Sequence, residues 1–168
     1  MNIAVAFDHR GVHNRDHLLA QLRHAGHEVL DFGTDATKPC DYPDYAIPAS
    51  LAVVQGRAQR AILIDGSGIG MAIVANKIPG IRAATCHDEL TAEVSRRYND
   101  ANVLCLAADL LGEELIRRIV KAWLVAEFEQ GRHTRRIEKI TELENRIFSD
   151  VEKAMREAAK LVPGPADD

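Results

Sequence analysis

A short apolar run leads directly into a glycine-rich turn in the segment Ala61-Ile62-Leu63-Ile64-Asp65-Gly66-Ser67-Gly68-Ile69-Gly70. The apolar residues at its start predict a buried strand, and residues 71–76 predict the start of a helix. A strand followed by a tight turn and a helix is the repeating unit of parallel α/β sheets. The segment therefore indicates an α/β fold.

The sequence on both sides repeats the same alternation. Short apolar runs predict further strands over residues 3–7, 29–32, 81–86 and 103–107. Apolar residues at helical spacing predict a helix that ends at Gly26 and others over about 44–55, 89–98 and 110–129. Because such units connect through right-handed crossovers, we expect a Rossmann-like, doubly wound, five-stranded parallel sheet with helices on both faces.

The last segment has a different pattern, in which apolar residues recur every three or four positions: Ile137, Ile140, Leu143, Ile147, Val151, Met155 and Ala158. This spacing predicts a long C-terminal helix with one apolar stripe, ending before Pro163, with a frayed tail after it. We expect the stripe to pack on a second subunit, and the alternative is packing on the chain's own sheet. The predicted division is a main domain over residues 1–145 and a C-terminal helical extension and tail over residues 146–168.

Composition excludes several classes of protein. The chain has 168 residues, a formal net charge of −4 and a pI near 6.0, which argue against a nucleic-acid partner. No apolar run reaches the ~20 residues of a membrane span, and the N-terminus lacks the pattern of a signal peptide. The three cysteines form no CxxC pair, and Cys86 and Cys105 lie in apolar runs where buried, inert thiols are expected. We predict a cytoplasmic protein with no membrane partner.

In an open parallel sheet, ligands bind beyond the carboxyl ends of the strands. The segments that follow the predicted strands include Asp8-His9-Arg10-Gly11, Asp65 to Gly70, His87-Asp88 and Ala108-Asp109. The glycine-rich turn can bind an anion through its backbone N–H groups, or it can be a plain tight turn. It matches neither a Walker sequence nor GxGxxG and follows the third strand, which disfavours a dinucleotide site.

A basic cluster stands out from the acidic balance over Arg132-His133-Thr134-Arg135-Arg136. Arg132 and Arg136 are four residues apart, so a helix would present both guanidinium groups on one face to a phosphate. The alternative is a solvated helix start with Glu138 and Glu142 as ion-pair partners.

These motifs together resemble the ribose-5-phosphate isomerase B family, which includes the galactose-6-phosphate isomerase subunits. The matching segments are Asp8-His9-Arg10-Gly11, Asp41-Tyr42-Pro43, Gly66-Ser67-Gly68-Ile69-Gly70, Ala75-Asn76-Lys77, Gly80-Ile81-Arg82, Asn99-Asp100-Ala101-Asn102-Val103 and Gly131-Arg132-His133. The resemblance covers residues 1–145, which it makes the isomerase domain. It implies an aldose–ketose isomerase of a phosphorylated sugar that works through a cis-enediolate with no cofactor and no metal. It also implies a homodimer or homotetramer with its site at the subunit interface.

The resemblance also assigns roles to individual residues. Ser67 is implied to act in catalysis by helping to open the sugar ring, and Arg132 and Arg136 are implied to bind phosphate in the neighbouring subunit's site. The implied substrate-binding residues are Asp8, His9, Tyr42, Gly66, Gly68, Ile69, Gly70, Tyr98 and Asn99. The implied substrate is ribose 5-phosphate with ribulose 5-phosphate, or a related pentose, hexose or tetrose phosphate.

The sequence departs from the family within this site. Asp65 stands where the family's base is usually a cysteine, and Met71 stands where other members have a glutamate base. Tyr98 replaces a histidine thought to assist ring opening, and Asp109 replaces a phosphate-binding cation. We expect the Asp65 carboxylate to act as the base, and Asp109 to weaken phosphate binding by repulsion. An open-chain substrate such as a tetrose phosphate would need no ring opening.

Two other functions are compatible with parts of the sequence. The change at the base position is compatible with a sugar-phosphate-binding homologue that has lost catalysis. Asp8 and Asp65 end the first and third strands, as the acidic residues of a receiver-type phosphoacceptor domain do. A receiver also needs a second acid beside the first and a lysine after the fifth strand, where this chain has His9 and Asp109.

Overall fold

Five parallel strands form one sheet in the computed structural model, which describes residues 1–159. The strands are β1 (Asn2–Phe7), β2 (Glu28–Asp31), β3 (Arg60–Asp65), β4 (Ala83–Thr85) and β5 (Val103–Ala107). The helices are α1 (Arg15–His24), α2 (Pro43–Val54), α3 (Ile69–Ala75), α4 (Glu89–Asn99), α5 (Glu113–Val125) and α6 (Thr134–Ala159). Short 3₁₀ helices precede α1 and α6, over Val12–Asn14 and Gly131–His133. The predicted alternation of strands and helices is confirmed.

The strand order β2-β1-β3-β5-β4 places the reversal of chain direction across the sheet between β1 and β3. At this point the two strands run side by side to their carboxyl ends, with Phe7 paired to Ile64. The Asp8 N–H then donates to the Ile64 carbonyl at 3.2 Å. A crevice beyond the ends of β1 and β3 is therefore the expected place for a ligand.

Alternate residues of each strand enter two separate cores. On β1, Ile3, Val5 and Phe7 pack with the residues of α1 and α5, whereas Ala4 and Ala6 face the alanine-rich helices α2 and α3. Trp123 of α5 is completely buried. Since both faces of the sheet are covered, its strands are almost uniformly apolar.

Two predicted elements are shorter than expected. The strand predicted over residues 81–86 is only Ala83–Thr85, because side-chain amides replace its first ladder bonds. The Arg82 N–H donates to Asn102 Oδ1 and the Ala83 N–H to Asn76 Oδ1, each at 2.8 Å. The helix predicted over residues 110–129 is α5 alone, since the residue after it, Ala126, has an extended backbone.

Helix α6 leaves the body of the domain with its apolar stripe uncovered. The side chains of Leu143, Ile147, Val151 and Met155 are 52–68% exposed, so the stripe does not pack on the chain's own sheet. A hydrogen bond from the Gly80 N–H to Glu144 Oε2 at 3.1 Å ties the helix to the domain. The helix continues without a break across residue 145, where the division between main domain and extension was predicted. The predicted end of the helix before Pro163 and the predicted tail lie outside the described residues. None of the helices within residues 1–159 combines the length and apolarity needed to cross a membrane.

Candidate active site

A cavity of about 460 Å³ opens at the carboxyl edge of the sheet, beyond the ends of β1, β3 and β5. This strand-end cavity is lined by Asp8, His9, Arg10, Cys40, Tyr42, Asp65, Gly66, Ser67, Gly70, Asp109 and Leu110. Seven of the site residues named from the sequence and its resemblance line it: Asp8, His9, Tyr42, Asp65, Gly66, Ser67 and Gly70. It lies where the strand order predicts a ligand site.

The wall formed by the end of β1 is organised by the buried carboxylate of Asp8. Its Oδ1 accepts hydrogen bonds from the N–H groups of Arg10, at 2.8 Å, and Gly11, at 2.9 Å. His9 Nδ1 lies 4.0 Å from Asp8 Oδ2 and accepts the Cys40 N–H at 3.3 Å. Because Nδ1 is the acceptor, a neutral His9 carries its proton on Nε2.

The wall formed by the end of β3 is organised in the same way around Asp65. Its Oδ1 accepts the N–H groups of Ser67, at 2.8 Å, and Gly68, and its Oδ2 accepts the Met71 N–H at 3.1 Å. Gly68 has a φ of +75°, and a Cβ there would lie 2.9 Å from Thr85 Cγ2, so glycine is required in the turn. Asp65 therefore holds its own glycine-rich loop in place.

The third wall comes from the loop before α2. Tyr42 packs its ring against Gly70, where a Cβ would lie 2.9 Å from Tyr42 Cζ. Cys40 also lines the cavity, with its Sγ 3.7 Å from His9 Nδ1. Cys40 was not among the predicted site residues, since no predicted strand ends there. Its position just before the Asp41-Tyr42-Pro43 motif was the available signal.

Arg10 is a second cavity residue that had no predicted role, and its contact with Asp109 changes the expectation for Asp109. The Arg10 guanidinium donates to Asp109 Oδ2 from Nε at 2.6 Å and from Nη2 at 2.5 Å. The hydrogen bond and the charge of Asp109 raise the pKa of Arg10. Asp109 therefore does not present a bare negative charge to a ligand, because it is neutralised by Arg10.

Four predicted site residues lie elsewhere, in what we call the α4–α6 corner: Tyr98, Asn99, Arg132 and Arg136. The Tyr98 ring stacks on His133, with centroids 4.7 Å apart and planes 6° apart. Asn99, Arg132 and Arg136 are exposed, and none of the four lines the strand-end cavity. Two other predicted residues do not line it either: Gly68 is buried within the glycine-rich turn, and Ile69 is 55% exposed to solvent.

Arg132 and Arg136 lie in two consecutive helices. Arg132 belongs to the 3₁₀ helix and only Arg136 to α6, so the two do not lie one turn apart on a single α-helix. Neither forms an ion pair within residues 1–159, so the alternative pairing with Glu138 and Glu142 is not seen. Arg132 Nε donates to His133 Nε2 at 3.4 Å, and both arginines are exposed to a ligand or a second copy.

The fold and the cavity define the class of protein: an α/β domain with a carboxylate-lined site for a small polar ligand at the switch point of its sheet. The model of the ribose/galactose isomerase family matches residues 3–140, and the chain belongs to that family. The predicted class of sugar-phosphate isomerase is confirmed, and the receiver alternative is set aside.

Curated and solved relatives agree with this assignment. Ribose-5-phosphate isomerase B of Escherichia coli is 44% identical over 86% of this chain and 97% of its own length. D-erythrulose-4-phosphate isomerase of Pectobacterium atrosepticum is 42% identical over 83% of this chain and 93% of its own length. The solved structure of Clostridium thermocellum ribose-5-phosphate isomerase B has a TM-score of 0.85 and 43% identity, covering 88% of this chain and 99% of that one. The predicted fold is confirmed.

Proposed function

We propose that this chain interconverts a small aldose phosphate and its ketose isomer through a cis-enediolate, with Asp65 as the base and no cofactor. The observation that carries the proposal is the strand-end cavity, which sets the buried Asp65 carboxylate and Ser67 opposite Asp8 and His9. Membership of the ribose/galactose isomerase family supports the same reaction. A cytoplasmic location stays a prediction from composition.

Asp65 keeps the capacity to take a proton despite its contacts with the loop. A carboxylate offers about four acceptor positions, and the three N–H groups occupy two on Oδ1 and one on Oδ2. One position on Oδ2 is left for the substrate. When Asp65 takes the C2 proton, the C–H electron pair becomes the C1–C2 double bond and O1 takes the negative charge. The carboxyl group then returns the proton to C1, while the proton on O2 moves to O1.

Part of the glycine-rich turn is not available to stabilise the negative charge on O1. The N–H groups of Ser67, Gly68 and Met71 already donate hydrogen bonds to the Asp65 carboxylate. The Ser67 hydroxyl accepts the Ile69 N–H at 3.2 Å, so its own proton is free to be donated to a substrate oxygen. The Gly70 N–H has no acceptor within residues 1–159. We assign the Ser67 hydroxyl and the Gly70 N–H as the oxyanion donors.

The cavity suits a pentose or tetrose phosphate. Its volume of about 460 Å³ lies within the range of about 300–1,000 Å³ usual for small-ligand sites. The two curated relatives are named for five-carbon and four-carbon substrates. Because Tyr98 stands where the family has a histidine thought to assist ring opening, a sugar that is already open-chain suits this site best.

We propose that a second copy of the chain completes the site. The α4–α6 corner carries exposed Arg132 and Arg136, and the implied phosphate contacts require a neighbour's cavity. Exposed apolar residues flank the cavity loop on α2 and α3, including Ile47, Ile69 and Ile73 at 42–55% exposure. Together with the stripe of α6, these surfaces support a homodimer or homotetramer. The subunit number is measured by analytical ultracentrifugation.

Proton exchange with solvent tests the reaction directly. The protein is incubated in deuterium oxide with ribose 5-phosphate, ribulose 5-phosphate, erythrose 4-phosphate, erythrulose 4-phosphate, allose 6-phosphate and galactose 6-phosphate in turn. Proton NMR should show deuterium entering C1 or C2 of a pentose or tetrose phosphate. Binding of these sugars without any exchange would indicate a homologue that has lost catalysis.

Three variants isolate the base. Asp65→Asn should slow exchange by about 10²–10⁴-fold, the usual contribution of a general base. Asp65→Cys, which installs the family's usual base, should retain far more activity than Asp65→Asn. Asp88→Asn is the matched control, because Asp88 also accepts a backbone N–H, from Thr91 at 2.7 Å, but lies outside the cavity. Full activity in Asp65→Asn would rule out Asp65 as the base.

A further inference from the structure

The charges of the strand-end cavity raise a problem for any phosphorylated ligand. Three of its lining residues are carboxylates, Asp8, Asp65 and Asp109, and the one guanidinium among them belongs to Arg10. A phosphate monoester brings about −1.5 to −2 more charge at neutral pH. Within the cavity, Arg10 is therefore the side chain able to attract the phosphate end of a substrate.

The guanidinium of Arg10 is available for a second partner. An arginine has five N–H donors, and both contacts to Asp109 end on the same oxygen, Oδ2. Three N–H groups are left, and the Arg10 side chain is 55% exposed at the cavity wall. A phosphate can thus bind Arg10 while the ion pair with Asp109 stays intact.

The pair is also held in place by the backbone around it. A Cβ on Gly66 would lie 2.6 Å from Asp109 Oδ2 and 2.7 Å from Arg10 Nε, so the pair lies directly over the Gly66 peptide. The Asp109 N–H donates to the Gly66 carbonyl at 3.1 Å, and the Arg10 N–H donates to Asp8 Oδ1 at 2.8 Å. The guanidinium is therefore fixed beside the loop that carries Asp65 and Ser67.

We propose that Arg10 is the phosphate-binding cation of this half of the site, and that Asp109 is its positioning residue. The proposal rests on the proposed isomerase function and adds a residue that decides its specificity for phosphorylated sugars. The Asp109 charge remains, but the repulsion expected from it is reduced, because its ion pair places a cation over Gly66. The guanidinium of Arg10 donates to the phosphate oxygens, and no bond is made or broken.

The test compares two variants of one ion pair, with inorganic phosphate as the probe. The affinity of inorganic phosphate for the full-length protein is measured by calorimetry and as a competitive inhibition constant. KM and kcat are measured for the sugar phosphate that the wild type converts. Arg10→Gln should weaken phosphate binding and raise KM by about tenfold or more, with a smaller change in kcat. Asp109→Asn removes a negative charge and leaves the cation, so phosphate should bind about two- to fivefold more tightly.

The opposite signs of these effects separate the proposal from a purely structural ion pair. If the pair only braces the loop, both variants break it and both should lose activity and thermal stability together. Arg117→Gln is the matched control, since Arg117 is 54% exposed and pairs with Glu114 at 2.5 Å away from the cavity. Unchanged phosphate affinity in Arg10→Gln, or no phosphate binding by the wild type, would overturn the proposal.

Failure of the isomerase function gives a different result. In that case the wild type converts none of the six sugars but still binds phosphate in an Arg10-dependent manner. A protein that isomerises a sugar phosphate with an unchanged KM in Arg10→Gln would instead keep the function and lose the role of Arg10.

Discussion

The strand-end cavity and the α4–α6 corner hold the two halves of the predicted site, and they are built differently. In the cavity, Asp8 and Asp65 are each 4% exposed and bind backbone N–H groups within six residues of themselves. In the corner, Arg132 and Arg136 are exposed and form no ion pair within residues 1–159. The carboxylates of the first half are ordered by contacts within their own chain, whereas the arginines of the second half are left exposed.

The difference shows how much of such a site short-range interactions can build. A carboxylate that follows a strand orders the next turn by accepting its N–H groups, so position and chemistry are set together. A guanidinium on a helix surface is free to reach several partners, and its role depends on what is placed opposite. The following predictions test this contrast, beginning with the largest expected effect.

Mixed dimers test whether the two halves come from different copies. Asp65→Asn and the double variant Arg132→Ala/Arg136→Ala should each lose most activity, by about 10²-fold or more. A heterodimer of the two, purified through separate tags after co-expression, should regain about half of the wild-type activity per dimer, since one of its two sites is intact. A heterodimer as inactive as its parents would show that each chain builds its own site.

Thiol labelling tests whether the cavity stays open in the assembled protein. Burial raises the pKa of both the Cys86 and the Cys105 thiols, which lowers the fraction of reactive thiolate near neutral pH. Cys40 lines the cavity and is only partly buried. With Ellman's reagent, Cys40 should react about 100-fold or more faster than the other two, and a bound sugar phosphate should slow it.

The Cys40→Ser variant provides the control for that experiment. It should remove the fast labelling phase and leave the two slow thiols unchanged. Fast labelling that persists in this variant, or that a bound substrate does not slow, would contradict an open cavity with Cys40 in its wall.

Two glycine-to-alanine substitutions compare how tightly the backbone is packed in the two regions. Gly68 and Gly131 both have positive φ, at +75° and +58°, but a Cβ would meet Thr85 Cγ2 at 2.9 Å only in the first case. Gly131→Ala should lower the free energy of unfolding by about 1–2 kcal/mol, from backbone strain alone. Gly68→Ala should lower it by about 2–4 kcal/mol, because the steric contact adds to that strain. Denaturant unfolding measures both, and equal losses would contradict the contact.

Substitutions of Tyr98 have the smallest expected effect, and they separate the role of its ring from that of its hydroxyl. Tyr98→Leu removes the stacking on His133 and should lower the free energy of unfolding by about 0.5–1.5 kcal/mol. Tyr98→Phe keeps the ring and should leave stability unchanged. If the hydroxyl reaches a neighbour's cavity, Tyr98→Phe should still change kcat or KM. Unchanged kinetics in Tyr98→Phe would limit Tyr98 to a structural role.

Features with local causes were predicted well from the sequence. The strand over Ala61–Ile64, the turn after it and the position of Asp65 at the cavity all depend on neighbours a few residues away. The predicted element bounds were wrong where residues distant in sequence take part. The fourth strand begins later than predicted, because the side-chain amides of Asn76 and Asn102 accept the N–H groups at its start. Hydrophobic pattern contains no information about such competition.

The amino-acid sequence alone was sufficient for the α/β class, the sheet edge that carries the site and the residues at the ends of β1 and β3. Periodicity and turn chemistry act over a few residues, so they can be read in order along the chain. The tertiary structure was needed to pair Arg10 with Asp109, 99 residues later, and to bring Cys40 to His9 across 31 residues. It also separated the α4–α6 corner from the cavity of its own chain. These relations depend on how elements pack in space, which determines the contacts between residues far apart in sequence.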